Sequence, residues 1–455
     1  MRYRQPYGPG VHDDEHGAAM HLCGAREQFP FAAHERAGQV KMRWLFEEGA
    51  FDEDIAYHRS QVDAFRQRQV AGHLPSTEEE ELLREDFAET KGLDLGSIGI
   101  DTPFFELGFT SLDLIRLKRR ISNRLGSNVP TVTLIRNPTV RALAAISLGK
   151  DSPQSPIGLS PAEAPGPSRV GTNYDPVVVL RANGSKTPLW LVHPGVGEVL
   201  VFVGLAQHMK ADGRCIYALR ARRFETGEPS FTSIAEAVDI YVASVRRKQP
   251  QGPYAIAGYS YGAMLAFEMA KKLEAAGKTV DFLASFNLPP YIKHRMRQLT
   301  WNMCLLHLAQ FLGLLNEATV EQMAGDDAAY RRVSRSEALH HVLALADLKR
   351  LQELGLEETE LLRWADVAYG LQSMAVDYEP IGCVSVLDVF VAEPLRVAAS
   401  SRHEWTSLHL SRWRDFCKTE PCLHDVDGGH YTMIGSDHVA PFSTALRKAL
   451  KARGL

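Results

Sequence analysis

Apolar positions along this chain change their spacing several times, and each change marks a different kind of element. Residues 1–34 show no period and are expected to be disordered or a remnant. Val40–Gln69 reads as helical, with Met42, Leu45, Phe46 and Phe51, then Val62 and Phe65, on one face. A compact block follows over 75–148. There Ser76 to Glu79 has the form of a capping box ahead of Leu82, Leu83 and Phe87. A second helix opens at Ser111 and buries Leu114, Leu117, Ile121 and Leu125. A third starts near Thr139. Residues 149–174 contain Pro153, Pro156, Pro161, Pro165 and Pro167 among small residues, the composition of an extended tether.

Beyond the tether the period shortens. Val177–Leu180, Leu189–Val192, Cys215–Leu219, Tyr254–Gly258 and Val280–Phe286 are short apolar runs. Helical patterns at Val199–Met209, Ile234–Arg247 and Ala263–Ala276 separate most of them. That alternation predicts a mostly parallel sheet covered on both faces over 175–455. Residues from about 292 to 378 read as continuously helical, and Val384–Val391 returns to strand. No internal repeat is present.

Composition narrows the class. The 455 residues are 45% hydrophobic and 23% charged, with a net charge of -4. Nothing in that balance favours nucleic acid or an anionic membrane as a partner. The six cysteines are scattered, as expected in a reducing compartment. Cys417, Cys422 and His424 lack a second ligand pair at zinc spacing, so no metal is expected. The polar N-terminus lacks a signal-peptide layout, and Trp301–Leu315 is too short and too interrupted to span a bilayer. A cytoplasmic protein is expected.

Two serines carry candidate chemistry. Ser111 sits where a loop enters a helix, and a helix N-terminus favours an anion such as a phosphodiester. An ordinary N-cap is the plainer reading of such a serine. Gly108 would narrow the loop, with Phe104, Phe105 and Leu107 as anchors. The run Phe104–Leu112 resembles the attachment motif of peptidyl and acyl carrier domains, and the match extends to Asn137-Pro-Thr-Val. That resemblance implies 4'-phosphopantetheine on Ser111 and a phosphopantetheinyl transferase as partner.

Ser260 lies in Gly258-Tyr-Ser-Tyr-Gly262 between a strand and a helix, the form of a nucleophile elbow. The backbone N–H of Tyr261 would face the acyl oxygen. A second donor is expected from His193-Pro-Gly-Val-Gly197, at Gly195 or Val196, with His193 itself structural. His430, in Asp427-Gly-Gly-His, is the expected base. His340, His341, His403 and His424 are expected on the surface or in packing.

These features resemble the thioesterases that close nonribosomal peptide and polyketide synthases, an α/β-hydrolase fold with a lid, here preceded by a small all-α carrier bundle. In that family an acid follows the next strand, where this chain has Asn287. Asn287 could orient His430; the acid could instead be Asp388 or Glu393 on the later strand; or the site could be weakened. The plain alternative for Asp388 is a strand residue on a solvated face. Trp301, Leu305, Leu306, Phe311 and Leu314 could line the substrate chamber or pack the lid.

The motif from Phe105 to Lys118, with His409–Arg414 and Gly429–Gly435, resembles fungal nonribosomal peptide synthetase-like enzymes of adenylation, carrier and thioesterase order. The resemblance implies aryl-α-keto acyl substrates such as phenylpyruvate, 4-hydroxyphenylpyruvate or indolepyruvate. It also implies release by joining two units into a quinone, furanone or dioxolanone. Residues 35–74, around Lys41–Glu47, resemble the last helical stretch of an adenylation domain. The chain is therefore expected to need an adenylating enzyme or domain in trans, as a truncated product, an excised piece or half of a split system. Simple hydrolysis, a non-catalytic scaffold and a generic lipase are the alternatives.

Overall fold

The computed structural model describes residues 74–109, 111–126, 129, 133–134, 137–147, 174–224, 227–325, 329–354 and 356–455. The expected segments 1–34 and 35–74, apart from Leu74, and nearly all of the 149–174 tether lie outside the described residues.

Helix α1 (Glu78–Lys91) starts one residue later than its sequence suggests. Thr77, not Ser76, is the N-cap, and its side chain accepts from the Glu80 N–H. The Glu80 carboxylate returns to the Ser76 N–H at 2.7 Å. Glu79 is drawn instead into an ion pair with Arg124 at 3.0 Å. Helices α2 (Ser111–Leu125) and α3 (Val140–Ser147) complete the block. Leu83, Phe87, Phe104, Phe109, Leu114 and Leu117 are fully buried between them. Leu125, expected in that core, is 37% exposed, because it is the last residue of α2.

The second region is a seven-stranded sheet in the order β1-β3-β2-β4-β5-β6-β7. Its strands are β1 (Val177–Arg181), β2 (Lys186–Val192), β3 (Arg214–Leu219), β4 (Tyr254–Tyr259), β5 (Val280–Phe286), β6 (Asp388–Glu393) and β7 (Cys422–Gly429). Only β1 is antiparallel to its neighbour. The central strands are buried on both faces, which is why they read as unbroken apolar runs. The edge strand β7 has mostly exposed or half-buried residues and no such run, so periodicity missed it. Strand β6 starts at Asp388, not Val384, which makes only an isolated bridge to Cys417.

Helices α4 (Val203–His208), α5 (Ile234–Lys248), α6 (Tyr261–Ala275) and α13 (Val439–Ala452) cover the sheet. Between β5 and β6 lies a lid of α7 (Lys293–Gln298), α8 (Trp301–Phe311), α9 (Glu317–Ala324), α10 (Arg335–Leu345), α11 (Leu348–Leu354) and α12 (Glu358–Met374). The lid has its own core, which holds Trp301, Leu305, Leu306 and Leu314. Among the described residues no helix is long and apolar enough to cross a membrane.

Candidate active site

Ser260 is the single residue between β4 and α6, at φ 52 and ψ -126. A side chain on either flanking glycine would block this turn. A Cβ on Gly258 would lie 2.1 Å from the Gly262 carbonyl oxygen, and one on Gly262 would lie 2.4 Å from that of His193. The turn therefore lets two backbone segments touch and holds the Ser260 side chain over the sheet.

His430 follows β7 and reaches back so that its Nε2 lies 2.9 Å from Ser260 Oγ. The Tyr259 hydroxyl donates to the His430 carbonyl and fixes the loop. Burial, then the nearby Arg295 charge, pushes the imidazole pKa down to about 4. The ring is therefore neutral at pH 7.

Asn287 faces the other ring nitrogen, with Nδ2 at 3.4 Å from His430 Nδ1. It has a left-handed backbone, φ 57, which asparagine tolerates. Its amide orientation is fixed by two donors. Trp405 Nε1–H donates to Asn287 Oδ1 at 2.8 Å, and the Ala392 N–H does so at 3.2 Å. Only an oxygen can receive both, so a donor is left facing His430. That contact favours the tautomer with its proton on Nε2, whereas accepting the Ser260 proton requires a bare Nε2. The main-chain carbonyl of Asn287 works in the opposite sense and favours a protonated ring, though less than burial and Arg295 oppose it.

The two alternative acids are not brought to His430. Asp388 is 2% exposed, not on a solvated face. It accepts from Arg453 Nε at 2.9 Å and meets His424 Nε2 at 2.6 Å, tying α13 to the sheet. The Glu393 side chain is more than half exposed and lies 3.8 Å from Arg402.

The expected oxyanion residues converge on the same cavity of about 440 Å³, lined by Gly195, Val196, Ser260, Tyr261, Asn287 and His430 among others. Helix α12 ties down both backbone segments. Trp364 Nε1–H donates to the Val196 carbonyl at 2.7 Å, and the Tyr261 hydroxyl donates to the Leu371 carbonyl at 2.7 Å. His193 is buried beneath, 2.8 Å from the Tyr241 hydroxyl, and burial lowers its pKa to about 4. Of the five lid residues singled out in the sequence, Phe311 lines the cavity. Trp301, Leu305, Leu306 and Leu314 pack the lid core.

Sequence reasoning missed Trp405, Trp364 and the buried pair of Glu198 and Arg220, at 2.8 Å, behind the oxyanion loop. Glu198 left a signal, as an isolated charge in the apolar run Val196–Val203. The two tryptophans left none, since each acts through its indole N–H on a residue far away in sequence.

Ser111 is the first residue of the 15-residue α2. Free N–H groups and the dipole at that end suit a covalent phosphodiester, so the position fits the phosphopantetheine group. The same helix meets the lid: Lys118 pairs with Glu360 of α12, and Ile115 packs against the lid core. Gln207 Nε2–H donates to the Phe109 carbonyl at 2.6 Å.

Residues 187–448 match the thioesterase domain model, more than half of the chain. The chain belongs to the thioesterase domain family. Residues 81–146 match the phosphopantetheine attachment site, which makes 4'-phosphopantetheine the cofactor of the preceding block. Relatives of this carrier–thioesterase include aspulvinone E synthetase melA of Aspergillus terreus, 43% identical over 96% of this chain and 45% of that protein. Atromentin synthetase invA2 of Paxillus involutus is 40% identical over 87% of this chain and 41% of that protein. Nonribosomal peptide synthetase apvA of Aspergillus terreus is 44% identical over 94% and 44%. The chain thus spans less than half the length of these relatives. The crystal structure of a four-domain nonribosomal peptide synthetase, holo-AB3403 bound to AMP and glycine, covers 82% of this chain with a TM-score of 0.50 at 20% identity, a likeness of fold. It spans 26% of that protein.

Proposed function

We propose that this thioesterase takes aryl-α-keto acyl groups from the arm on Ser111 and releases them by joining two units. The products would be of the quinone, furanone or dioxolanone type. The observation that carries the reading is the 2.9 Å contact of Ser260 Oγ with His430 Nε2 at the mouth of a lidded cavity. Relatives named for aspulvinone E and atromentin support the substrate class.

In this reading the arm supplies a thioester and the reach to deliver it. His430 accepts the Ser260 proton as Oγ attacks the thioester carbonyl. The N–H groups of Tyr261 and of Gly195 or Val196 hold the oxyanion, and the thiolate leaves with the proton from His430. Asn287 contacts the ring at Nδ1, but its amide donor opposes the bare-Nε2 tautomer this step needs. A second unit then loses a proton from the carbon beside its keto group to His430, and that carbon attacks the acyl-Ser260 ester; the joined product stays on the arm until its other enol carbon or oxygen attacks the remaining thioester and expels the pantetheine thiol. The lid keeps water from competing. An adenylating enzyme or domain and a phosphopantetheinyl transferase are the implied partners. The five described cysteines are free thiols, which suits the cytoplasm.

The test is to load Ser111 with phenylpyruvoyl, 4-hydroxyphenylpyruvoyl or indolepyruvoyl pantetheine and identify the released compounds by mass spectrometry. A condensed dimer is expected. Free monomeric acid alone would favour simple hydrolysis, and failure of a fluorophosphonate to label Ser260 would favour a non-catalytic scaffold.

A further inference from the structure

Helix α7 carries three cations at alternate positions, and they do not share one environment. Lys293 pairs with Glu379 at 2.9 Å and Arg297 pairs with Asp377, both at the surface. Arg295 turns inward and lines the cavity that holds Ser260 and His430. Among the described residues no carboxylate lies within ion-pair distance of it. Its Nη2 is 3.0 Å from His307 Nε2, and its Nη1 is 3.4 Å from Gln298 Oε1. The titratable groups around it are Tyr431, Arg331, Cys304, His307 and His430.

None of these neutralises the guanidinium. Arginine has only donors, so His307 Nε2 must accept, which leaves that imidazole neutral. Burial, then the Arg295 charge, holds the His307 pKa down at about 3. Burial pushes the Cys304 thiol and the Tyr431 phenol up to about 12, so both stay protonated. Burial also lowers the pKa of Arg295 itself, but a guanidinium does not give up its proton in a protein. A fixed cation with no counter-charge among the described residues faces the cavity, and such a group favours an anion placed beside it.

The donors proposed for the Ser260 oxyanion lie on the Tyr261 and Gly195–Val196 side of the cavity. A second negative charge arises only if the acyl group itself ionises. We propose that Arg295 is a catalytic residue for carbon–carbon bond formation, whose guanidinium holds the enolate oxygen of the second α-keto acyl unit, with the Tyr431 hydroxyl beside it. This rests on the condensing reading above. The C–H proton beside the keto group moves to His430 Nε2, and the C–H pair forms the C=C bond. The keto π pair moves onto oxygen opposite Arg295. The enolate carbon then attacks the acyl-Ser260 carbonyl, the C–C bond forms, and the bond to Ser260 Oγ breaks. Oγ recovers the proton from His430. Arg295 therefore selects α-keto groups over plain acyl groups, which cannot place charge there.

The experiment compares wild type, R295Q, R295K and Y431F with Ser111 carrying either a phenylpyruvoyl or a 3-phenylpropanoyl group. Product identity and solvent deuterium uptake at the benzylic carbon are read by mass spectrometry, and fluorophosphonate labelling of Ser260 reports an intact nucleophile. In R295Q, deuterium uptake and dimer formation are expected to fall ~10²-fold, the scale seen on removing one oxyanion donor. Release of the 3-phenylpropanoyl group should fall far less, and R295K should recover part of the keto-specific loss. Equal losses on both acyl groups in R295Q, with no selective recovery in R295K, would overturn the proposal. A wild type that yields only monomeric acid would instead defeat the condensing reading itself.

Discussion

Exchanging Asn287 for aspartate puts a number on what its amide withholds from His430. In N287D one carboxylate oxygen keeps the Trp405 and Ala392 N–H groups that now hold Oδ1, at 2.8 and 3.2 Å. The other oxygen replaces Nδ2, 3.4 Å from His430 Nδ1. The donor that faces Nδ1 becomes an acceptor, so the ring settles with its proton on Nδ1 and Nε2 bare. The carboxylate also attracts the imidazolium that forms as Ser260 attacks. At 3.4 Å and an effective dielectric constant of about 20 that attraction is about 5 kcal/mol, or three to four decades in rate. Desolvation of a fully buried carboxylate opposes it, leaving an expected acceleration of about 10²- to 10³-fold in acylation of Ser260. The reverse exchange in a serine protease costs ~10⁴. The assay is the burst rate with a chromogenic acyl ester, followed against pH. The N287D profile should show the His430 limb moving up from about 4. N287A removes the opposing donor and should cost little. A rate in N287D no faster than wild type in a folded protein, or a loss of three decades in N287A, would show that the amide supports the base and would refute this account.

Three other outcomes are expected. S111A should abolish the mass increase produced by a phosphopantetheinyl transferase and coenzyme A, while fluorophosphonate still labels Ser260. E198A removes the carboxylate that pairs with the buried Arg220 guanidinium, whose side chain is 6% exposed, and should cost ~3–5 kcal/mol of stability by denaturant titration. Acid should destabilise the fold: burial lowers His193, His307 and His430 to about 4, 3 and 4. Between those values and 6.5 the unfolded chain binds more protons, so stability present at pH 7 is lost as pH falls from about 6.5 to 4, on the order of 3 kcal/mol for each histidine. Thermal unfolding at stepped pH reads this, and a flat profile over that window would contradict it.

The parts of this site that follow strict local rules could be read directly. Ser260 needs a strand, two small neighbours and a helix, and all three are contiguous in sequence. The central strands are legible because both of their faces are buried. Strand β7 is not, because an edge strand with one wet face needs little apolar character. Leu125 and Ser76 show the limit of spacing rules at helix ends, where one residue decides between core and solvent. Asn287 was visible as a departure, but its meaning lay in Trp405, whose indole N–H decides which end of the amide faces His430. Arg295 was invisible for a similar reason. Lys293, Arg295 and Arg297 look alike in sequence, and only the chain fold shows which one lacks a carboxylate partner among the described residues.

The bonds from Trp364 to Val196 and from Tyr261 to Leu371 tie helix α12 to both backbone segments proposed to hold the oxyanion. Glu360 near its start meets Lys118 of the delivering domain, and Leu371 lies eleven residues further along, roughly 16 Å on a helix. One helix therefore joins the contact with the carrier block to the two backbone segments proposed to hold the oxyanion. In the proposed reaction, moving α12 away would break these two bonds and so disturb the oxyanion donors. If two units are joined as proposed, the acyl-Ser260 ester would then react slowly with water while the arm is exchanged, because the groups that stabilise charge on its carbonyl are out of place.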